Sequence, residues 1–135
     1  MAANVIVDTG FLVALLSSRE TRHRWAVEQL PHLSLPWTTC EAVLSETFYL
    51  LGTRGSGLSA LLHRRAVICA FRAGDEIDNV LQLMAKYEDA PMSFADACLV
   101  RMSEMLNDPI VVTLDAHFRI YRRHGNKPIP FTMPN

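Results

Sequence analysis

The sequence predicts an α/β fold with a mostly parallel sheet. Two continuous β-branched runs, Val5-Ile6-Val7 near the start and Ile110-Val111-Val112-Thr113 near the end, read as strands covered on both faces. Between them, apolar residues recur at helical spacing, most regularly over Ile77, Val80, Leu81, Met84 and Tyr87. Strands that alternate with helices in this way define α/β architecture. At 135 residues, half of them hydrophobic, the chain has length for one core but not two, so residues 1–135 read as a single domain.

The elements follow in order. The first strand stops on Asp8, Thr9-Gly10 permits a sharp turn, and Phe11–Leu16 resumes as an apolar helix. Thr21 is placed to cap a second helix through Leu30, with Trp25, Val27 and Leu30 as its apolar side. Leu33–Leu35 reads as a short strand ended by Pro36. Thr38-Thr39-Cys40-Glu41 has the form of a capping box, opening a helix that runs to about Leu51. Gly52 to Gly57 is a glycine-rich loop, and Leu58–Arg65 a further helix. Ala66–Phe71 fits either a continuation of that helix or a strand, and its β-branched centre favours the strand. A helix opens at Asp75 or Glu76. Beyond Pro91, Ser93 and Asp96 form a second capping-box pattern, leading a helix through Leu106. The second buried strand ends on Leu114-Asp115. A short helix then covers Ala116 to about Arg123, Gly125 ends it, and the proline-rich tail holds one edge strand at Ile129–Phe131.

Composition excludes several classes. A charged fraction of 20% without biased tracts argues against disorder. No apolar run approaches the roughly 18 to 20 residues of a membrane span. The N-terminus lacks a basic region and Asp8 interrupts its apolar stretch, which argues against a signal peptide. Cys40, Cys69 and Cys98 lack close metal-ligand spacing and sit among apolar residues, as buried reduced thiols of a cytoplasmic protein do. A net charge of −1 does not mark a nucleic-acid binder. Basic residues nevertheless cluster at Arg19 to Arg24, at His63 to Arg65 and at Arg119 to Lys127. Singly each cluster reads as a solvated helix face; together they could line a phosphate path.

Four carboxylates, Asp8, Glu46, Asp96 and Asp115, bear on chemistry. Asp8 and Asp115 follow the buried strands and also read as N-caps, while Asp96 also reads as a capping-box member. Glu46 has no such use. It lies mid-helix, three residues after Val43 and four before Leu50, on the expected apolar stripe, where an unpaired charge is costly. Glu41 is roughly 140° further round that helix and faces elsewhere. If the two buried strands are neighbours, Asp8 and Asp115 share one sheet edge, with Asp96 and Glu46 approaching from flanking helices. Converging carboxylates repel unless divalent cations sit between them, and their oxygens suit Mg²⁺ or Mn²⁺ rather than Zn²⁺. Such ions activate water for phosphodiester hydrolysis.

With these residues in place, the sequence resembles the PIN-domain family, of the VapC-like toxin ribonuclease type. Val5-Ile-Val-Asp8-Thr-Gly resembles the family's opening strand and first acid. Val43-Leu-Ser-Glu46, after Thr38-Thr39, resembles the second-acid helix, and Ser93-Phe-Ala-Asp96 the third acid. Thr113-Leu-Asp115-Ala-His-Phe118 resembles the terminal T-x-D-x-x-F motif. Each motif is weak alone; four in order and spacing are specific. The resemblance implies an α/β/α sandwich with a mostly parallel central sheet of four to five strands. It implies a Mg²⁺- or Mn²⁺-dependent endoribonuclease site at Asp8, Glu46, Asp96 and Asp115, with Thr9 and Thr113 as supporting polar residues. It also implies an RNA substrate, a small cognate antitoxin and a homodimer. Ser93 and His117 stand where relatives often have an extra acid, and His117 reads first as a surface helix residue.

Two other enzyme or signalling classes fit less well. A haloacid-dehalogenase-like phosphatase wants a second Asp where Gly10 stands, and a receiver module wants an acidic pair and a late Lys. A non-catalytic PIN-like module binding RNA or protein, and a nuclease acting on DNA, are the remaining alternatives.

Overall fold

The computed structural model describes residues 1–135. In chain order the first half contains β1 (Asn4–Val7), α1 (Thr9–Leu16), α2 (His23–Gln29), β2 (Trp37–Thr38), α3 (Glu41–Leu51), α4 (Ser56–His63) and β3 (Val67–Ile68). The second half contains α5 (Ile77–Lys86), α6 (Phe94–Met105), β4 (Pro109–Val112), β5 (Arg122–Arg123), β6 (Lys127–Pro128) and β7 (Phe131–Thr132). The β-branched runs are central and adjacent in the sheet. β1 and β4 pair in parallel with Val5 opposite Ile110 and Val7 opposite Val112. The five-stranded sheet has the order β3-β2-β1-β4-β7, and every pair in it is parallel. α1 packs against α2, α3 and α4, whereas α6 packs against α5 and lies on β1 and β4. The result is the expected α/β/α sandwich.

This strand order has a functional consequence. The chain moves outward from β1 to β3, then returns to the other side of β1 as β4. The strand order therefore reverses between β1 and β4. In open α/β sheets the crevice beyond the strand ends at that reversal is where ligands bind. Asp8 follows β1 there, and Thr113 and Asp115 follow β4.

The core is set by residues that the helical and strand periodicities turn inward. Ile6, Val7, Phe11, Leu12, Leu99, Phe118 and Tyr121 are fully buried. Phe11 meets Trp37 edge-on at 5.4 Å between centroids and Trp25 at 6.1 Å.

Several local expectations are corrected. The second strand is Trp37–Thr38, not Leu33–Leu35. Pro36 precedes the strand rather than ending it, because Trp37 is the residue that finds the core while Leu35 stays 64% exposed. α2 begins at His23, with Arg22 rather than Thr21 at its N-cap. Val27 and Leu30 are exposed and only Ala26 is buried on this helix. The capping box at Thr38–Glu41 does not form. Thr38 is in the strand, Cys40 is the N-cap, and the Thr39 hydroxyl instead donates to the Val7 carbonyl at 2.7 Å, tying β2 to β1. The second capping box does form: Ser93 Oγ accepts from the Asp96 N–H at 3.0 Å, and Asp96 Oδ2 accepts from the Ser93 N–H at 3.2 Å.

α1 starts at Thr9, so Gly10 is its second residue and not a turn. Its role is close approach. A Cβ at Gly10 would stand 3.2 Å from Leu114 Cβ, in the segment that presents Asp115. Downstream, the expected helix over Ala116 to Arg123 is one 3₁₀ turn, Ala116–Arg119, followed by a hairpin of β5 and β6. His124 at φ 51° and Gly125 at φ 87° make the reversal. The tail strand is shifted to Phe131–Thr132, where it adds to β4.

The third basic cluster is largely occupied. The Arg123 guanidinium donates to the carbonyls of Ser103 and Leu106 at the end of α6, and Arg122 donates to the carbonyls of Arg119 and Tyr121. These arginines satisfy backbone acceptors that the helix and turn ends leave open, which removes them from a free phosphate path. No helix is long and apolar enough to cross a membrane.

Candidate active site

Asp8 is the hub. It lies one residue past β1 and is 8% exposed. Its Oδ1 accepts from the Thr9 N–H at 2.7 Å, and its Oδ2 accepts from the Thr113 hydroxyl at 2.7 Å. Thr113 reaches it because the β1/β4 register brings Val112 opposite Val7. Thr113 Oγ in turn accepts from the Asp115 N–H at 3.0 Å, so one hydroxyl links two of the acids. Asp115 caps the following 3₁₀ turn. Its Oδ1 stands 2.9 Å from the His117 N–H and 2.7 Å from His117 Nδ1. Asp96 sits in the first turn of α6, held by Ser93 and by the Tyr121 hydroxyl, which donates to its Oδ2 at 3.2 Å.

The electrostatics show that these three acids are neighbours. Burial pushes Asp8 up from its ordinary value to about 6, opposed by the bonds from Thr113 and Thr9 and reinforced by the charges of Asp96 and Asp115. Asp96 is also raised, first by burial, with Asp115 adding repulsion and Ser93 and Tyr121 opposing it. Burial likewise raises the Tyr121 phenol, and the negative field of Asp96 and Asp115 adds to it. No Lys or Arg is paired with any of the three; His117 is the one basic side chain in contact.

Glu46 is placed differently from expectation. The stripe that α3 buries is Val43, Thr47 and Leu51, not a line through Leu50, and Glu46 is exposed on its flank. Thr47 is tolerated inside because its hydroxyl donates to the Val43 carbonyl at 2.6 Å. That local bond lets a polar residue lie in the core, and Glu46, about 100° round the helix from Thr47, is left facing outward. Glu46 has no hydrogen bond or ion pair, and the main charges that raise Asp8 and Asp96 are those of Asp96 and Asp115 on Asp8 and of Asp115 on Asp96, not that of Glu46.

Sequence reasoning missed Tyr121. Its signal was available: it lies three residues beyond Phe118, on the same side of the turn. It is fully buried and packs on Tyr87 and Phe118, each at 5.2 Å, with the His117 ring stacked at 6.3 Å. His117 is an exposed residue of the 3₁₀ turn, as expected, and it is also a partner of Asp115.

The donor types, carboxylate and hydroxyl oxygens, are those a hard divalent cation takes. Three carboxylates stand near one another without a Lys or Arg partner, and Thr9 Oγ1 is a buried oxygen with no partner beside Asp8. In the arrangement seen, no three acidic side chains close on a single point. Asp8 is turned to Thr113 and Thr9, Asp96 to Ser93 and Tyr121, and Asp115 to His117.

A parallel sheet with its acids at the β1/β4 reversal defines a class of α/β protein with an acidic carboxyl-edge site. The PIN domain family profile matches residues 5–123, and the chain belongs to that family. Its fold is also that of Mycobacterium tuberculosis VapC20, a sarcin-ricin loop cleaving toxin. The crystal structure of that protein matches with a TM-score of 0.73 and 21% identity, over 84% of this chain and 91% of that one. Comparison with curated protein sequences gives no significant match.

The Thr113 hydroxyl can be tested separately from the acids. Thr113→Val keeps shape but leaves Asp8 Oδ2 and the Asp115 N–H without this partner. A stability loss on the order of 1–2 kcal/mol is expected, together with a roughly 10- to 100-fold weaker response to divalent cation. Chemical denaturation and a cation titration of the same variant check both.

Proposed function

We propose that this chain is a Mg²⁺- or Mn²⁺-dependent endoribonuclease of the VapC toxin type. The observation that supports this most is the group of three carboxylates without a Lys or Arg partner, Asp8, Asp96 and Asp115, at the strand-order reversal. These three would hold the metal, with Glu46 as the fourth acid. When bound, the ion supplies an activated water and a clamp for the charge that develops at the scissile phosphate. The protein's own residues do the positioning. Thr113 fixes the rotation of Asp8, Tyr121 and Ser93 fix Asp96, and His117 fixes Asp115. Thr9 offers its free hydroxyl oxygen beside them.

RNA is the substrate on this reading, in line with VapC20, a sarcin-ricin loop cleaving toxin. The partners are a small cognate antitoxin and a second copy of the chain. Tyr49, 82% exposed, and Leu50, 52% exposed, on α3 supply apolar surface for such contacts.

Incubation of the purified chain with single-stranded RNA tests the activity. Cleavage is expected with Mg²⁺ or Mn²⁺ and not with EDTA. Cleavage of DNA alone would reassign the substrate, and absence of any cleavage across varied RNAs would leave a binding module. Glu46→Gln separates the role of the exposed acid. Stability should stay within about 0.5 kcal/mol, since the side chain has no partner, while cleavage falls. Unchanged cleavage would remove Glu46 from the site.

A further inference from the structure

The largest cavity is not at the acids but beside them. It is an open groove of about 530 Å³, within the size range of small-ligand sites. Cys40 and Cys98 form its inner wall, and Glu41, Arg72, Asp75 and Phe94 line its mouth. Its place is fixed by the fold. Cys40 follows the carboxyl end of β2, the strand next to β1, and Phe94 and Cys98 stand one turn apart on a single face of α6, the helix whose first turn carries Asp96 on another face. A chain crossing the acid edge toward β3 therefore enters this groove.

The lining says which part of such a chain it accepts. Two carboxylates and one guanidinium give it net negative charge, which repels phosphate. Arg72 is already engaged, its Nε 3.1 Å from Asp75 Oδ2. Glu41 is exposed and has no hydrogen-bond or ion-pair partner. Phe94 is 38% exposed in the first turn of α6. An aromatic face, an arginine plane and a free carboxylate are what an unpaired base requires: stacking on its faces and hydrogen bonds on its Watson–Crick edge.

The geometry points to this groove as a subsite for one unpaired RNA base adjoining the cut bond, with guanine preferred. The preference comes from Glu41. Guanine presents two adjacent donors, N1–H and N2–H₂, that one carboxylate accepts together. Uracil presents a single donor between two acceptors, and those acceptors meet a negative charge. A bidentate contact of this kind discriminates bases by roughly tenfold. The inference rests on the ribonuclease reading above for its substrate.

Sequencing the ends produced from a mixed-sequence RNA locates the cuts; oligoribonucleotides differing only in the base beside the cut then give kcat/KM for each. Guanine is expected to exceed uracil by about tenfold. Glu41→Gln should reduce that ratio to near unity while cleavage continues. Phe94→Ala should raise KM for all bases at least fivefold, as loss of a stacking face does. Cleavage by the wild type with no base preference, or a preference unchanged in Glu41→Gln, overturns the subsite and leaves the nuclease reading intact. A second measurement does not depend on cleavage. Guanosine, and not uridine, should shift backbone amide resonances of residues 40–42, 71–75 and 94 in the Asp8→Asn protein. If guanosine shifts none of them, the groove is not a base site. Loss of inhibition by a partner protein, as the only effect of both variants, would assign the groove to protein docking and overturn the proposal.

Discussion

Asp8→Asn is expected to lower RNA cleavage by about a thousandfold or more. The variant keeps the size of the side chain and an oxygen for Thr113, but removes the charge at the hub of the site. Divalent ions in such sites provide several kcal/mol of transition-state stabilisation, and about 4 kcal/mol corresponds to a thousandfold in rate. Asp96→Asn should behave alike, with one difference. Asp96 also closes the Ser93 capping box, so its replacement weakens the start of α6, whereas the loss at Asp8 is electrostatic. Rates measured under single-turnover conditions, with melting curves on the same samples, separate the two effects. Retention of wild-type rates in Asp8→Asn would remove the carboxylate edge from the chemistry.

The same substitution should make the protein more stable at neutral pH. In the folded chain Asp8 is raised to about 6, chiefly by burial, from an ordinary value of 3.8. The fold therefore prefers the protonated acid. That preference contributes stability fully below about pH 3.8 and loses it as pH rises through about 6. About two pH units correspond to roughly 3 kcal/mol between those limits. Asp8→Asn has no such titration. Plotted against pH, the stability of the variant relative to wild type should therefore rise by 2–3 kcal/mol between about pH 4 and pH 7. The sign at low pH is less favourable to the variant, because the amide cannot accept from both Thr9 and Thr113 as the carboxyl group does. Saturating Mn²⁺ should recover the difference for wild type alone, since a ligand that binds only the folded state stabilises it. Urea denaturation at several pH values, with and without Mn²⁺, reads all of this. A flat difference across pH would mean that Asp8 is not held in the environment described.

The parts of the fold that were legible in the sequence are those with long, unambiguous patterns. β1 and β4 each carry β-branched residues on both faces, as a strand covered on both sides does, and it is their parallel pairing that places Asp8 and Asp115 at one edge. The Ser93–Asp96 box was legible because capping is local: both partners lie within four residues and need nothing from the rest of the chain. The short strands were not legible for the opposite reason. Trp37–Thr38 and Val67–Ile68 hold two residues each, too few for a period to show, and the position of β2 depends on Trp37 finding Phe11 in the core. Thr38–Glu41 had a capping-box sequence, but sheet pairing claimed Thr38 and the β1 carbonyl claimed Thr39.

The site was legible unevenly. Asp8, Asp96 and Asp115 are brought together by β1, α6 and β4, the elements read most securely. Glu46 was read through an apolar stripe that α3 does not use, because Thr47 satisfies its own hydroxyl and takes the buried line. The groove at Glu41, Arg72 and Phe94 has no sequence period at all. It exists only because the segment after β3, the start of α3 and the start of α6 meet at one edge.

Mn²⁺ binding to the apo protein, followed calorimetrically across pH, tests the central claim most directly. With Asp8 as a ligand raised to about 6, the ion must displace its proton below that pH. Affinity should be constant above about pH 7 and fall about tenfold per unit below about pH 6, with proton release appearing in the buffer-dependent heat. Asp8→Asn should show no comparable binding at any pH. Equal Mn²⁺ affinity in wild type and Asp8→Asn, with no proton released, would contradict the assignment of this edge as a divalent-metal site.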